Sequence, residues 1–271
     1  MLLDHVRRFR HQAGKPLTLG RRDFRVRGYI ANGLTTWIHH EPHMNVVIRD
    51  VLEARPGAFI DVGVNTGQTL MKVLEADPDR RYVGFEPQVG CCFFVQRFIV
   101  DNALNNAQVL CMGLGDEDAL VPFYSEGVVD EMASTLASSG RRASGAIVVR
   151  RGDAALAELG VDRVSVIKID VEGAETQVLR GLRQTFVDHR PACFFEVNPN
   201  FTGFKPNITR VHADAADANG VRAGEIWQFF DELGYSIRQV TTKSELIGIS
   251  AFNLDDPDKH IGNEYVALPS E

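Results

Sequence analysis

The 271-residue sequence predicts an α/β fold, a mostly parallel sheet with helices on both faces, and three observations carry that reading. Apolar runs of strand length alternate with helical patterns at Ala58–Val62, Arg81–Phe85, Gln108–Met112, Val164–Ile169 and Ala192–Val197. Strands that alternate with helices imply crossover connections and parallel pairing. The first run ends in a glycine-punctuated turn that opens a helix. Two further strand-like runs, Tyr235–Val240 and Glu264–Leu268, are separated by a polar stretch too short and irregular for a crossover helix, which predicts an antiparallel edge.

Residues 1–55 read as an irregular, partly basic lead-in that ends in a helix starting near Pro42. Met44, Val47, Ile48, Val51 and Leu52 give that helix an apolar face, Pro42 suits its first position, and Pro56-Gly57 stops it. Residues 56–271 read as one domain. Within it, Ala174, Val178, Leu182 and Phe186 form one helical stripe, and Ile226, Phe229, Phe230 and Leu233 another. Both stripes are core packing. Segments 126–146 and 198–222 read as long loops, which in a compact domain serve as lids or binding segments.

Composition bounds the function. The chain is 44% apolar and 24% charged, with 29 basic against 36 acidic side chains and a net charge of −7. This is globular composition, and the acidic balance argues against a nucleic-acid partner. Cys91, Cys92, Cys111 and Cys193 form no CxxC pair and no disulfide framework, so they read as buried thiols. The N-terminal stretch has no apolar signal core and no run approaches a membrane span, so a cytoplasmic protein is expected.

The most informative stretch is Asp61-Val62-Gly63-Val64-Asn65-Thr66-Gly67, a D-x-G-x-N-x-G turn at a strand end. Such a turn lets the backbone touch a ligand and aims N–H groups at an anion. A nicotinamide fingerprint needs glycine where this chain has Asn65 and Gln68, and the single Gly-Lys pair, Gly14-Lys15, runs into Pro16, so no P-loop is present. The second strand ends in Glu86, nineteen residues past Gly67 (86 − 67), where an acid grips the two hydroxyls of an adenosine ribose. After the third strand, Gly115-Asp116 offers close backbone approach and an acceptor for an adenine amino group.

These residues resemble the FkbM-type S-adenosylmethionine-dependent methyltransferases. The likeness runs from about Pro56 to Pro199, through FIDVGVNTG, GFEP, Asn102–Asn105, MGLGDED and above all Ile167-Lys168-Ile169-Asp170-Val171-Glu172-Gly173-Ala174-Glu175 followed by VLRG. It implies a seven-stranded Rossmann-like sheet with one antiparallel strand, and methyl transfer from the cofactor to an oxygen on a sugar, polyketide or other natural product. Asp61, Gly63, Asn65, Gly67, Glu86, Gly115, Asp116 and Asp170 are the implied cofactor residues. Two departures stand out. Only Asp153 remains of a Thr-Leu-Asp step, and Val64-Asn65-Thr66 replaces a more usual Ala-Asn-Ile.

Ligands of open parallel sheets bind beyond the carboxyl ends of the strands, which puts Asp170, Glu172 and Glu196 on the rim shared by Gly63 and Glu86. Methyl transfer to an alcohol needs alignment and removal of one proton. Asp170 is the first candidate base, Glu196 faces the acceptor, and Lys168, two residues before Asp170, holds an acceptor oxygen or pairs with an acid. Glu175 suits the positive end of a helix. His39, in the histidine-rich lead-in His39-His40-Glu41-Pro42-His43, is a further candidate base. Pro42 at a helix start separates His39 from His43 and makes a zinc pair unexpected. Asp170, Glu196 and Asn198 are oxygen donors of the type magnesium takes, but no spacing enforces a site and no metal is expected. The reading is an O-methyltransferase of a small-molecule or glycan acceptor. A non-catalytic cofactor-binding module in a biosynthetic assembly is the alternative.

Overall fold

The computed structural model describes residues 15–19, 22–26, 41–125, 135, 143–197, 213–252 and 263–270. A hairpin, β1 (Lys15–Leu19) and β2 (Arg22–Val26), precedes α1 (Pro42–Ala54), β3 (Ala58–Val62), α2 (Gln68–Ala76), β4 (Tyr82–Phe85), α3 (Val89–Asp101) and β5 (Ala107–Leu110). Then come β6 (Gly113–Gly115), β7 (Ala119–Tyr124), β8 (Ala143–Arg151), α4 (Gly152–Glu158) and β9 (Val164–Ile169). The chain continues through α5 (Glu175–Gly181), α6 (Arg183–His189), β10 (Ala192–Glu196), α7 (Ala213–Glu232), β11 (Tyr235–Val240), β12 (Leu246–Gly248) and β13 (Glu264–Pro269).

The central sheet has the order β12-β11-β13-β10-β9-β3-β4-β5. From β10 to β5 every neighbouring pair is parallel, and β13 is antiparallel to both β10 and β11. The family resemblance implies seven strands with one antiparallel, whereas the sheet has eight, with β13 and β12 both running against the others. The eighth, β12, pairs antiparallel to β11 and comes from the polar stretch expected to be irregular. It is three residues long, too short to show a period.

Both faces of the sheet are covered, so its strands read as continuous apolar runs rather than alternations. Phe59, Val166 and Phe194 pack with Ile48 and Leu52 of α1, Leu70 and Val73 of α2 and Val95 of α3. Ile60, Ile167 and Phe195 pack with Leu179, Phe186 and Phe230 on the opposite face.

Four expectations are corrected. The lead-in contains the β1–β2 hairpin, whose Phe24 packs against Phe98 of α3. Part of segment 126–146 is strand: β8 starts at Ala143 and forms a separate three-stranded sheet in the order β6-β8-β7. Its first residues, Ala143–Ala146, are exposed and small, which hides it from a hydrophobicity pattern. The single helix expected over Ala174 to Phe186 is two, divided at Leu182; Gly181 at the end of the first lies against the backbone of β6, where a Cβ would sit 1.8 Å from the Gly115 carbonyl oxygen. Of the expected loop 198–222, residues 198–212 lie outside the described residues, and α7 starts at Ala213. Among the described residues no helix is long and apolar enough to cross a membrane.

Candidate active site

The carboxyl ends of β3, β4 and β9 open into a cleft whose polar lining includes Gly63, Asn65, Glu86, Asp170 and Glu172. The second sheet supplies an apolar wall of Leu114, Phe123, Ile147 and Val149. Gly63 has φ of 90°, and a Cβ on it would lie 1.8 Å from the Asp170 carbonyl oxygen. Glycine is therefore what lets the ends of β3 and β9 meet, a contact the Asp170 N–H completes by donating to the Val62 carbonyl at 2.9 Å. Asn65 takes the left-handed conformation at φ 49°, which asparagine tolerates, and Gly67 does so at φ 92° as the residue before α2.

Glu86 is buried on the cleft wall. One of its oxygens accepts the Asn65 N–H at 2.7 Å and the other accepts the Gln88 N–H at 2.7 Å. Burial pushes its pKa up to about 7 although both N–H groups favour the charged form. A carboxylate has about four acceptor positions, so two remain for a ligand.

Asp61 sits elsewhere. It is fully enclosed in the sheet, accepts the Tyr82 hydroxyl, and is not among the residues lining the cleft. Burial raises its pKa to about 6 against the pull of Lys168. Gly67 packs towards Val95 of α3, Gly115 is buried beside Gly181, and Asp116 is exposed beyond β6. None of these three lines the cleft.

On the β9 side, the Lys168 ammonium donates to Asp170 Oδ2 at 2.8 Å. Burial works against that ammonium, but Asp170 and Asp61 beside it outweigh burial and raise its pKa. Glu172 follows with φ of 55°, a conformation the sequence did not reveal, and lines the cleft beside Asp170. Burial, then the charges of Asp170 and Glu196, push its carboxyl up to about 9. Glu175, in the first turn of α5, accepts the Gly173 N–H at 2.9 Å, the helix-start role expected of it. Glu196 ends β10 and its pKa is raised by burial and by Asp170. Asp170, Lys168 and Glu196 thus stand together on one rim, whereas His39 and Asn198 lie outside the described residues. Among the described residues no group of three metal-binding side chains occurs.

Sequence reasoning set aside His43. Its Nε2 lies 2.7 Å from Glu264 Oε2, on the same side of the sheet as Glu196. Pro42 at the start of α1 is the signal that puts His43 in the first turn and on the rim.

Among known proteins, residues 61–237 match the methyltransferase FkbM domain, which is more than half of the chain. The chain belongs to the FkbM methyltransferase family. No curated protein matches this FkbM-family chain. It is similar in structure to the methyltransferase FkbM of Methylobacillus flagellatus KT, with 16% identity and a TM-score of 0.47 over 78% of this chain, and spans 43% of that protein's length. A Staphylococcus aureus structure assigned as a caffeoyl-CoA O-methyltransferase aligns at 10% identity and a TM-score of 0.50, covering 90% of this chain and 93% of the other. An O-methyltransferase from Bacillus cereus, solved in complex with SAH, aligns at 10% identity and a TM-score of 0.43, covering 88% and 87%. The Staphylococcus likeness bears on the fold alone. The FkbM-family chain places residues of its turn, its acid after β4 and Asp170-Val171-Glu172 around one cleft.

Proposed function

We propose that this FkbM-family protein transfers a methyl group from S-adenosylmethionine to a hydroxyl of a small molecule, a sugar or glycan unit or another natural product. The observation that carries the reading is the shared cleft: Glu86, locked to the turn through Asn65, and Asp170 line the same cavity. When bound, the sulfonium supplies the electrophilic methyl group. Glu86 has acceptor positions left for two ribose hydroxyls, and Gly63 and Asn65 form the lip against which the amino-acid part lies. Leu114, Phe123, Ile147 and Val149 offer the apolar surface a purine needs. Asp170 and Lys168 hold the acceptor oxygen in line with the methyl, with Glu196 beside them. Alignment of this kind is worth up to about 7–11 kcal/mol, more than a positioned base contributes.

The test is incubation with methyl-labelled S-adenosylmethionine and a panel of glycans, glycolipids and polyketides, read by mass, alongside calorimetry with the cofactor. One methyl added to an acceptor is expected, and Glu196→Gln should lose turnover while keeping cofactor affinity. Cofactor binding without labelling of any acceptor would favour a non-catalytic binding module. Absence of both binding and labelling would remove the reading.

A further inference from the structure

The link Glu86-Pro87-Gln88 between β4 and α3 carries a pair of thiols that methyl transfer does not use. The sequence reads all four cysteines as buried; Cys91, Cys92 and Cys193 are, but Cys111 is exposed. Cys92 stands in the first turn of α3, and Cys111 directly follows β5. The two side chains are hydrogen-bonded to each other. Both residues also hold the link: Cys111 Sγ lies 3.8 Å from the Pro87 carbonyl oxygen, and the Cys92 N–H donates to the Gln88 carbonyl at 2.9 Å.

The same link shapes one wall of the cofactor cleft. The Glu86 N–H donates to the Leu110 carbonyl at 3.0 Å, next to Cys111, and the Gln88 N–H donates to the Glu86 carboxylate at 2.7 Å. Cys91, beside Cys92 in the chain, lines the cleft with its Sγ 3.7 Å from Asn65 Oδ1. A change in the spacing of Cys92 and Cys111 is therefore felt at Glu86 and Cys91.

The two thiols differ in a way that suits stepwise oxidation. Cys111 meets solvent, where an oxidant reaches it. Burial, and then Cys111 itself, pushes the Cys92 thiol up to about 12, so Cys92 stays protonated and holds a proton next to the Cys111 sulfur.

We infer that Cys92 and Cys111 form a reversible disulfide that lowers the affinity of the cleft for the cofactor. The effect on the cofactor rests on the methyl-transfer reading above, whereas the disulfide itself does not. With hydrogen peroxide as oxidant, the Cys111 sulfur attacks one peroxide oxygen, the O–O bond breaks, and Cys111 becomes a sulfenic acid as the other oxygen leaves as water. The Cys92 sulfur then attacks the Cys111 sulfur. The S–S bond forms, the S–O bond breaks, and the Cys92 proton leaves with the hydroxyl as a second water. The two thiols together give two electrons to one peroxide. A disulfide sets its sulfurs about 2.05 Å apart, well inside any hydrogen-bonded separation, so closing it draws α3 and the end of β5 together across Pro87. Displacement of about 1 Å in a positioned site is enough for effects of about 10²-fold.

Two measurements on the full chain test this. After hydrogen peroxide, alkylation and digestion without reductant, mass spectrometry should find the Cys92 and Cys111 peptides joined, lighter than the reduced pair by two hydrogens. In calorimetry, oxidation should weaken SAH binding by about 10- to 100-fold, and dithiothreitol should restore it. Cys111→Ser should bind SAH like the reduced wild type both before and after peroxide. Absence of the Cys92–Cys111 link would overturn the pairing. A link that leaves SAH affinity unchanged, or a Cys111→Ser protein that loses affinity on oxidation as the wild type does, would overturn the control. Reduced wild-type protein that binds no SAH overturns the cofactor reading instead, a different failure, and the link read by mass still decides the disulfide.

Discussion

The carboxylate of Glu86 ties Asn65 to Gln88, accepting one backbone N–H on each oxygen at 2.7 Å, so the turn after β3 and the approach to α3 share one anchor. Glu86→Gln replaces one oxygen by a donor facing an N–H. A buried hydrogen-bonding group left unmatched costs about 1–3 kcal/mol, and each 1.4 kcal/mol is about tenfold in affinity. Calorimetry with SAH should therefore show a loss of about 10- to 100-fold. Wild-type affinity in Glu86→Gln would exclude Glu86 from cofactor binding.

Gly63→Ala should be far more damaging than a left-handed glycine elsewhere. Its Cβ would meet the Asp170 carbonyl oxygen at 1.8 Å, whereas a Cβ on Gly160, also at positive φ, meets nothing within 4 Å. Gly160→Ala should cost about 1–2 kcal/mol from backbone strain alone. In thermal melts Gly63→Ala should fall well below Gly160→Ala and lose cofactor binding; equal midpoints would refute the close approach.

Stability should decline as pH rises through the neutral range. Asp61, Glu86 and Glu172 are held at about 6, 7 and 9, each above the 3.8 or 4.5 of an exposed carboxyl. The folded state therefore keeps protons that the unfolded chain has released, and the stability these groups add below their unfolded pKa is lost as pH rises through the folded values. Glu172→Gln removes one such loss. Its melting midpoint relative to wild type should climb between pH 5 and pH 9, by about 2–4 °C for each kcal/mol gained. A constant difference across that range would contradict the raised pKa.

Arg80 is a structural lock remote from the chemistry. It is 8% exposed, donates to the carbonyls of Leu52, Arg55 and Gly57 at 2.8 Å, and pairs with Asp77 at 2.9 Å. Arg80→Met leaves those acceptors and Asp77 without a cation, a loss of about 3–5 kcal/mol in urea denaturation. SAH affinity of the folded fraction should stay at the wild-type value, in contrast to Glu86→Gln.

The strands β3, β4, β9 and β10 were legible because a sheet covered on both faces makes apolar runs that need no partner to be recognised. The turn residues Gly63, Asn65 and Gly67 were legible for a similar reason, since left-handed backbone is a local demand met by a few residue types. The β6-β8-β7 sheet was not, because its strands are short or exposed and take their order from pairing with one another.

Sequence by itself determined that an acid would stand at Asp61, Glu86, Asp170 and Glu196, and that the family block would run out of the end of β9. Tertiary structure alone decided what each acid does. Burial turned Asp61 into the partner of Tyr82, the turn engaged both oxygens of Glu86, and Lys168 occupied Asp170. His43 and Glu264 meet across 221 positions of chain. Local conformation depends on neighbours in the chain, but the environment that sets a side chain's proton affinity depends on neighbours in space, and those come from sheet register.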